Sequence, residues 1–202
     1  MSTEHSAQEP PFLIAGLGNP GRQYRDNRHN IGFLAVDRLA ASLGLTFTRL
    51  ESRALVSKGT HQGRRVVLAK PKTYMNLSGK AVASLARFYK VPFVQLLVVY
   101  DDVDLPLGTL RLRPTGGSGG HRGVESIIES LGSQEFPRLR LGIGRPPGRM
   151  EAGDYVLEDF SRQETEFLPE ILGRAVEAIL TFSTEGLATA MNRFNGLVNE
   201  EV

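Results

Sequence analysis

FLIAGLGNPGRQYRDNRHNIGFLAVDRLAASLG, residues 12–44, contains the change of period that decides the fold. Residues 12–17 are a short apolar run halted by Gly18-Asn19-Pro20-Gly21, the pattern of a buried strand running into a turn. From Ile31 the period lengthens: Phe33, Val36, Ala40 and Leu43 recur at helical spacing, and Gly44 lies just past the last of them, where helices stop. The intervening residues 22–30 are polar and show no apolar periodicity. Strand, polar connection and helix in that order form the building unit of an α/β domain.

The alternation continues downstream. Residues 53–58 and 65–70, rich in Val and Leu, flank a turn at 61–64 and predict a hairpin. Ser78 reads as the N-cap of a helix that buries Val82, Leu85, Phe88 and Tyr89 and ends before Pro92. Residues 96–100 form an apolar strand whose end delivers Asp101-Asp102. Residues 109–113 and 138–143 alternate basic and apolar side chains, as strands with one wet face do. Between them a glycine-rich loop, 116–120, leads into a helix carrying Val124, Ile127, Ile128 and Leu131. A loop at 144–153 precedes helical patterns at 162–180 and 186–194. The expectation is one three-layer α/β domain over residues 12–196, a twisted mixed sheet flanked by helices, after a disordered leader (1–11) and before a short tail (197–202).

Composition narrows the function. At 202 residues with 41% hydrophobic content, the chain can bury one substantial core. With no cysteine, disulfides, thiolate metal sites and a cysteine nucleophile are excluded. The first eleven residues carry two glutamates, no Lys or Arg and no apolar run, unlike a secretory or transit peptide. The longest uncharged apolar run, 91–100, is interrupted by Pro92 and Gln95, too short to span a bilayer. A cytoplasmic protein with no membrane partner is expected. The net charge of +2 conceals an asymmetry: residues 1–149 hold 21 Lys+Arg against 11 Asp+Glu, whereas residues 150–202 hold 3 against 11. A basic body of this kind points to a polyanionic partner.

Several motifs compete for the chemistry. Gly16-Leu17-Gly18-Asn19-Pro20-Gly21 matches the dinucleotide fingerprint G-x-G-x-x-G, but a true fingerprint opens directly into a helix, and residues 22–30 do not. Gly116-Gly117-Ser118-Gly119-Gly120 matches the serine elbow G-x-S-x-G, yet the only later histidine, His121, is too near to have returned through the fold as its base. Asp101, Asp102 and Asp104 suit a hard cation in type, but histidines 5, 29, 61 and 121 are scattered and add no ligand cluster. No metal and no cofactor are expected. His29 stands on the polar connection beyond a strand end, where α/β folds place their sites. Asp101 leaves another strand end and could receive the second N–H of that imidazole, fixing its tautomer.

These residues fall within four long motifs. GLGNPGRQYRDNRHNIGF (16–33), KPKTYMNLSGKAV (70–82), YDDVDLPLGTLRLRPTGGSGGHRGVESI (100–127) and RLRLGIGRP (138–146) occur in the order and spacing of the bacterial peptidyl-tRNA hydrolases, which the chain resembles from about residue 12 to residue 196. The resemblance implies hydrolysis of the ester joining a peptide to the 3′-terminal ribose of tRNA, by a monomer without cofactor or metal. It implies that His29 is the general base, that Asp101 orients it, and that Asn19 and Asn76 share the cleft, which Tyr24 and Met75 wall. Arg111, Arg113 and Arg140 match family positions that engage tRNA phosphates; the first two lie two apart on one strand and face the same way. The partner so implied is peptidyl-tRNA, through its acceptor stem, 3′ CCA end and nascent peptide. Where the family often has His-Asn-Gly, this chain has His121-Arg122-Gly123, and Arg122, a donor that cannot accept, does not inherit the asparagine's role. Some relatives are thought to act in RNA splicing, so binding without hydrolysis is the alternative, which the intact His29, Asp101, Asn19 and Asn76 oppose.

Overall fold

The computed structural model describes residues 9–198; residues 1–8 of the expected leader and 199–202 of the expected tail lie outside them. Strands β1 (Phe12–Gly16), β2 (Arg49–Glu51), β3 (Ala54–His61), β4 (Arg64–Pro71), β5 (Leu96–Asp102), β6 (Thr109–Arg113), β7 (Arg138–Gly142) and β8 (Gly196–Leu197) form one mixed sheet in the order β2-β3-β4-β1-β5-β7-β6-β8. β1 runs parallel to β4 and β5, and β5 parallel to β7, while the β2-β3-β4 and β7-β6-β8 flanks are antiparallel. β8 was not foreseen, and the expected boundary at 196 falls inside it.

Helices α1 (Ile31–Ser42), α5 (Arg162–Glu185) and α6 (Leu187–Phe194) cover one face, against Ile14, Leu68, Val99, Leu110 and Leu139. Helices α2 (Ser78–Phe88) and α3 (Arg122–Leu131) cover the other, against Leu13, Val67, Val98 and Phe136. Both faces of β5 are therefore packed, and every residue from 96 to 102 is buried, which is why the strand reads as a continuous apolar run. A short helix, α4 (Ala152–Tyr155), interrupts what sequence reads as loop. Among the described residues no helix is long and apolar enough to cross a membrane.

Three local expectations need correction. Ser78 is the first residue of α2, not its cap; the N-cap position belongs to Leu77, and the Ser78 hydroxyl lies buried 4.0 Å from the Met75 sulfur. Phe88, expected in the core, is 70% exposed, because α2 ends there and the inward face is already filled by Val82, Leu85 and Ala86. Arg138, expected on a wet strand face, is 1% exposed. It donates to the carbonyls of Gly117 and Gln134 and lies over the Phe136 ring, so it is a strut beneath the glycine loop.

The glycines of the opening motif have a packing reason. A Cβ on Gly16 would lie 2.3 Å from the Gly32 carbonyl oxygen, and one on Gly32 would lie 2.3 Å from that of Val99. Backbone meets backbone there, drawing the start of α1 down onto β1 and β5. After Leu17 no long helix follows until Ile31, only two single turns of 3-10 helix at Arg22–Tyr24 and Arg28–Asn30, with Gly21 at φ +124° ahead of the first. The glycines serve close approach, and the dinucleotide geometry is not built.

Candidate active site

β1 and β5 are adjacent at the centre of the sheet and end at the same edge. His29 lies in the 3-10 turn beyond β1, and Asp101 is the penultimate residue of β5. The two groups, 72 residues apart in sequence, meet: His29 Nδ1 is 2.8 Å from Asp101 Oδ1 and 3.0 Å from Oδ2. His121, set aside in the sequence reading, completes the cluster with Nε2 3.0 Å from Asp101 Oδ1. The imidazole centroids are 4.9 Å apart, and Tyr100 packs edge-on against His121 at 4.8 Å.

Hydrogen bonding fixes both tautomers. His121 is the N-cap of α3, where Nδ1 accepts from the backbone N–H of Gly123 at 3.1 Å and of Val124 at 3.3 Å. A ring nitrogen that accepts carries no proton, so the N–H of His121 is on Nε2 and points at Asp101. The carboxylate has only lone pairs to offer, so His29 likewise donates through Nδ1 and keeps the lone pair of Nε2 free. Burial alone would raise the Asp101 carboxyl, but the two facing imidazoles outweigh it and hold the group well below the usual carboxylate range. The result is an ionised acceptor at the bottom of the site and, above it, an imidazole whose Nε2 makes no hydrogen bond among the described residues.

The ligand atoms of His29, Asp101 and His121 lie within 4.8 Å of one another, close enough to surround a cation. The donor chemistry fits one poorly. A metal on His121 Nε2 needs the ring proton on Nδ1, where two backbone N–H groups already point. Nor do the three clustered aspartates converge. Asp101 faces the histidines, Asp102 accepts from Arg140 Nε, and Asp104 pairs with Arg145 at 2.8 Å.

Asn19 is buried and held from both sides. Its backbone N–H donates to Asn30 Oδ1 at 2.8 Å, its carbonyl accepts from Asn30 Nδ2 at 3.0 Å, and its own Oδ1 accepts from the Met75 N–H at 2.9 Å. The side-chain NH₂ is what remains to offer. Met75 is buried against the start of α3, where a Cβ on Gly123 would sit 2.5 Å from its sulfur. Asn76 follows it in a single 3-10 turn with its side chain exposed, and Tyr24 is half-buried on the turn after Gly21. Arg122 is exposed as the first residue of α3.

Across the antiparallel β6–β7 pair Arg111 stands opposite Arg140 and Arg113 opposite Arg138. They do not form four equal cations. Arg113 is exposed and Arg111 half-buried, whereas Arg140 is engaged by Asp102 and Arg138 is interior. The structure brings His29 onto Asp101, as the sequence reading expected, and Asn19 onto the Met75 backbone, while no hydrogen bond links Asn76 or Tyr24 to them among the described residues; His121 and Asn30 were not foreseen. His121 left a signal that was not used, a polar residue directly ahead of a helical period, which is where caps stand. Asn30 left none beyond its place beside His29.

The chain matches the family model described as peptidyl-tRNA hydrolase over residues 13–201. It is 54% identical over 187 residues to the peptidyl-tRNA hydrolase of Chloroflexus aurantiacus (strain ATCC 29366 / DSM 635 / J-10-fl), covering 92% of this chain and all of that one. It is 52% identical to the chloroplastic peptidyl-tRNA hydrolase of Arabidopsis thaliana, covering 87% of this chain and 62% of the relative. The crystal structure of the Arg119Gln mutant of peptidyl-tRNA hydrolase from Acinetobacter baumannii superposes with a TM-score of 0.87 at 33% identity, covering 93% of this chain and 96% of that one. The family model, the sequence identities and the fold agree, and the chain belongs to the peptidyl-tRNA hydrolase family.

Proposed function

We propose that His29 is the general base with which this chain hydrolyses peptidyl-tRNA. The observation that carries the reading is the His29–Asp101 hydrogen bond at 2.8 Å, with the Nε2 of the same ring bonded to nothing among the described residues. Water held by Nε2 loses a proton to it as its oxygen attacks the ester carbonyl carbon. The carbonyl π electrons move onto oxygen, and the Asn19 NH₂ and Asn76 amide are the donors available to the oxyanion. On collapse the bond to the ribose oxygen breaks, the imidazolium returns its proton to that oxygen, and the products are a free peptide carboxylate and tRNA. Asp101 stays ionised throughout and stabilises the imidazolium.

Tyr24 and Met75 wall the cleft on this reading. Arg111 and Arg113 are the cations free to meet the phosphates of the acceptor stem and 3′ CCA end, while Arg140, drawn to Asp102, steers that carboxylate and reaches phosphate only with its remaining N–H groups. Arg122 touches phosphate or a peptide carbonyl. The protein acts as a monomer in the cytoplasm.

The test is hydrolysis of an N-blocked aminoacyl-tRNA in the presence of EDTA. Replacing His29 by Ala lowers kcat roughly 10²- to 10⁴-fold while tRNA binding persists. A His29→Ala protein that turns over at the wild-type rate overturns the proposal.

A further inference from the structure

Arg28, the neighbour of the base, is an interior arginine: 5% exposed, with Nη1 donating to the Asp159 carbonyl at 2.6 Å and Nη2 to Glu164 Oε2 at 2.6 Å. The guanidinium carbon lies 4.3 Å from the centroid of the Tyr155 ring. Its Nε is buried without a hydrogen-bond partner among the described residues. Burying a cation with one N–H unmatched is a poor way to gain stability and a good way to enforce one geometry.

The geometry concerns His29. The turn that bears it is a single 3-10 turn leading into α1, and its backbone is tied to the chain ahead of α5. Arg28 N–H donates to the Glu158 carbonyl at 3.0 Å and His29 N–H to that of Val156 at 2.8 Å. On the acidic side one carboxylate serves two elements. Glu164 accepts from Arg28 and, at 2.6 Å, from the Ser161 backbone N–H, closing the capping box of the 24-residue α5. Burial raises the Glu164 carboxyl and these donors outweigh it, so the group sits below its ordinary value.

We infer that Arg28 is a positioning residue: it clamps the segment ahead of α5 onto the turn carrying His29, and so holds the Nδ1–H on Asp101. The inference rests on His29 being the base. Misplacing a reacting group by about 1 Å costs on the order of 10²-fold in rate, so the effect belongs in kcat, with KM left alone.

The experiment compares kcat, KM, melting temperature and the solvent-shielded imidazole N–H proton resonance of Arg28→Gln, Glu164→Gln, Ser161→Ala and His29→Ala with the wild type, using N-acetyl-aminoacyl-tRNA. Arg28→Gln and Glu164→Gln are expected to lower kcat by roughly 10- to 100-fold with KM within about twofold, and to broaden the His29 Nδ1–H signal. Ser161→Ala removes the capping oxygen but leaves the Arg28–Glu164 pair, so it lowers the melting temperature and keeps kcat and the signal. Arg28→Lys, which retains charge but cannot span both acceptors, recovers only part of the rate. If Arg28→Gln does not fold, Glu164→Gln carries the test. Wild-type kcat in a folded Arg28→Gln or Glu164→Gln protein overturns the inference, as does a kcat loss in Ser161→Ala matching theirs. Should His29→Ala turn over normally, it is the base assignment that fails; should it be inactive while Arg28→Gln is unimpaired, only the clamp does.

Discussion

Replacing His121 separates two tasks that the wild-type ring performs at once. Its Nδ1 caps α3 through Gly123 and Val124, and its Nε2–H is one of two N–H donors on the buried Asp101. Asparagine is a favoured N-cap with an acceptor oxygen in the right place, but it is too short to reach Asp101. His121→Asn is therefore expected to keep the cap and lose one hydrogen bond to a charged group, about 1.5–3 kcal/mol. His121→Ala loses the cap as well, about 1 kcal/mol more. The sign of the pH dependence follows from Asp101. Its folded carboxyl is depressed, so its ionised form stabilises the fold fully above the ordinary value of 3.8 and progressively less as pH falls through the folded one. The deficit of His121→Asn should persist at pH values above the ordinary one and shrink as pH falls below it toward the depressed folded value, where Asp101 takes up its proton. Urea denaturation across that range measures it. A deficit unchanged at the acid end, or a His121→Asn protein as unstable as His121→Ala, would refute the assignment of the two nitrogens.

Three other substitutions test the frame and the proposed RNA surface. Gly32→Ala places a Cβ 2.3 Å from the Val99 carbonyl and 2.6 Å from Leu17 N, against backbone that cannot yield. A loss at or beyond the upper end of the usual 1–3 kcal/mol of overpacking is expected, read as a drop in melting temperature or as insoluble protein; a Gly32→Ala protein of wild-type stability rules out that close approach. Arg111→Ala and Arg113→Ala should each raise KM, leave kcat near wild type, and reduce the slope of log KM against log salt by about 1. An unchanged salt slope in both would remove β6 from the tRNA surface.

The elements that sequence located best are those buried on a regular period: β1 and residues 96–100 of β5 announce themselves because packing on both faces of the sheet leaves only apolar residues there, and α1 because its buried face recurs at helical spacing. The candidate site was legible where a polar side chain ends a strand, as Asp101 does, or stands on the polar connection beyond one, as His29 does. What escaped depends on tertiary partners. Arg138 alternates with leucines just as Arg140 does, and nothing local distinguishes the one that the Gly116–Gly120 loop covers from the one that Asp102 holds. Phe88 fits the helical period of its neighbours, but the sheet has no surface left for it. His121 lies three residues from Ser118, too near to serve that serine, yet it meets an aspartate 20 residues upstream because α3 begins beside the end of β5.

The order in which the layers are laid down matters to a chain emerging from the ribosome. Phe12, at the first residue of β1, packs edge-on at 5.4 Å against Phe182 near the end of α5. Seven of the eight strands among the described residues precede α5 in the sequence, so one apolar side of the nascent sheet is covered only in part, by α1, until residues 162–185 have been made. Translation that halts before α5 leaves a sticky half-built sandwich, and only a nearly complete copy can close over its own opening strand.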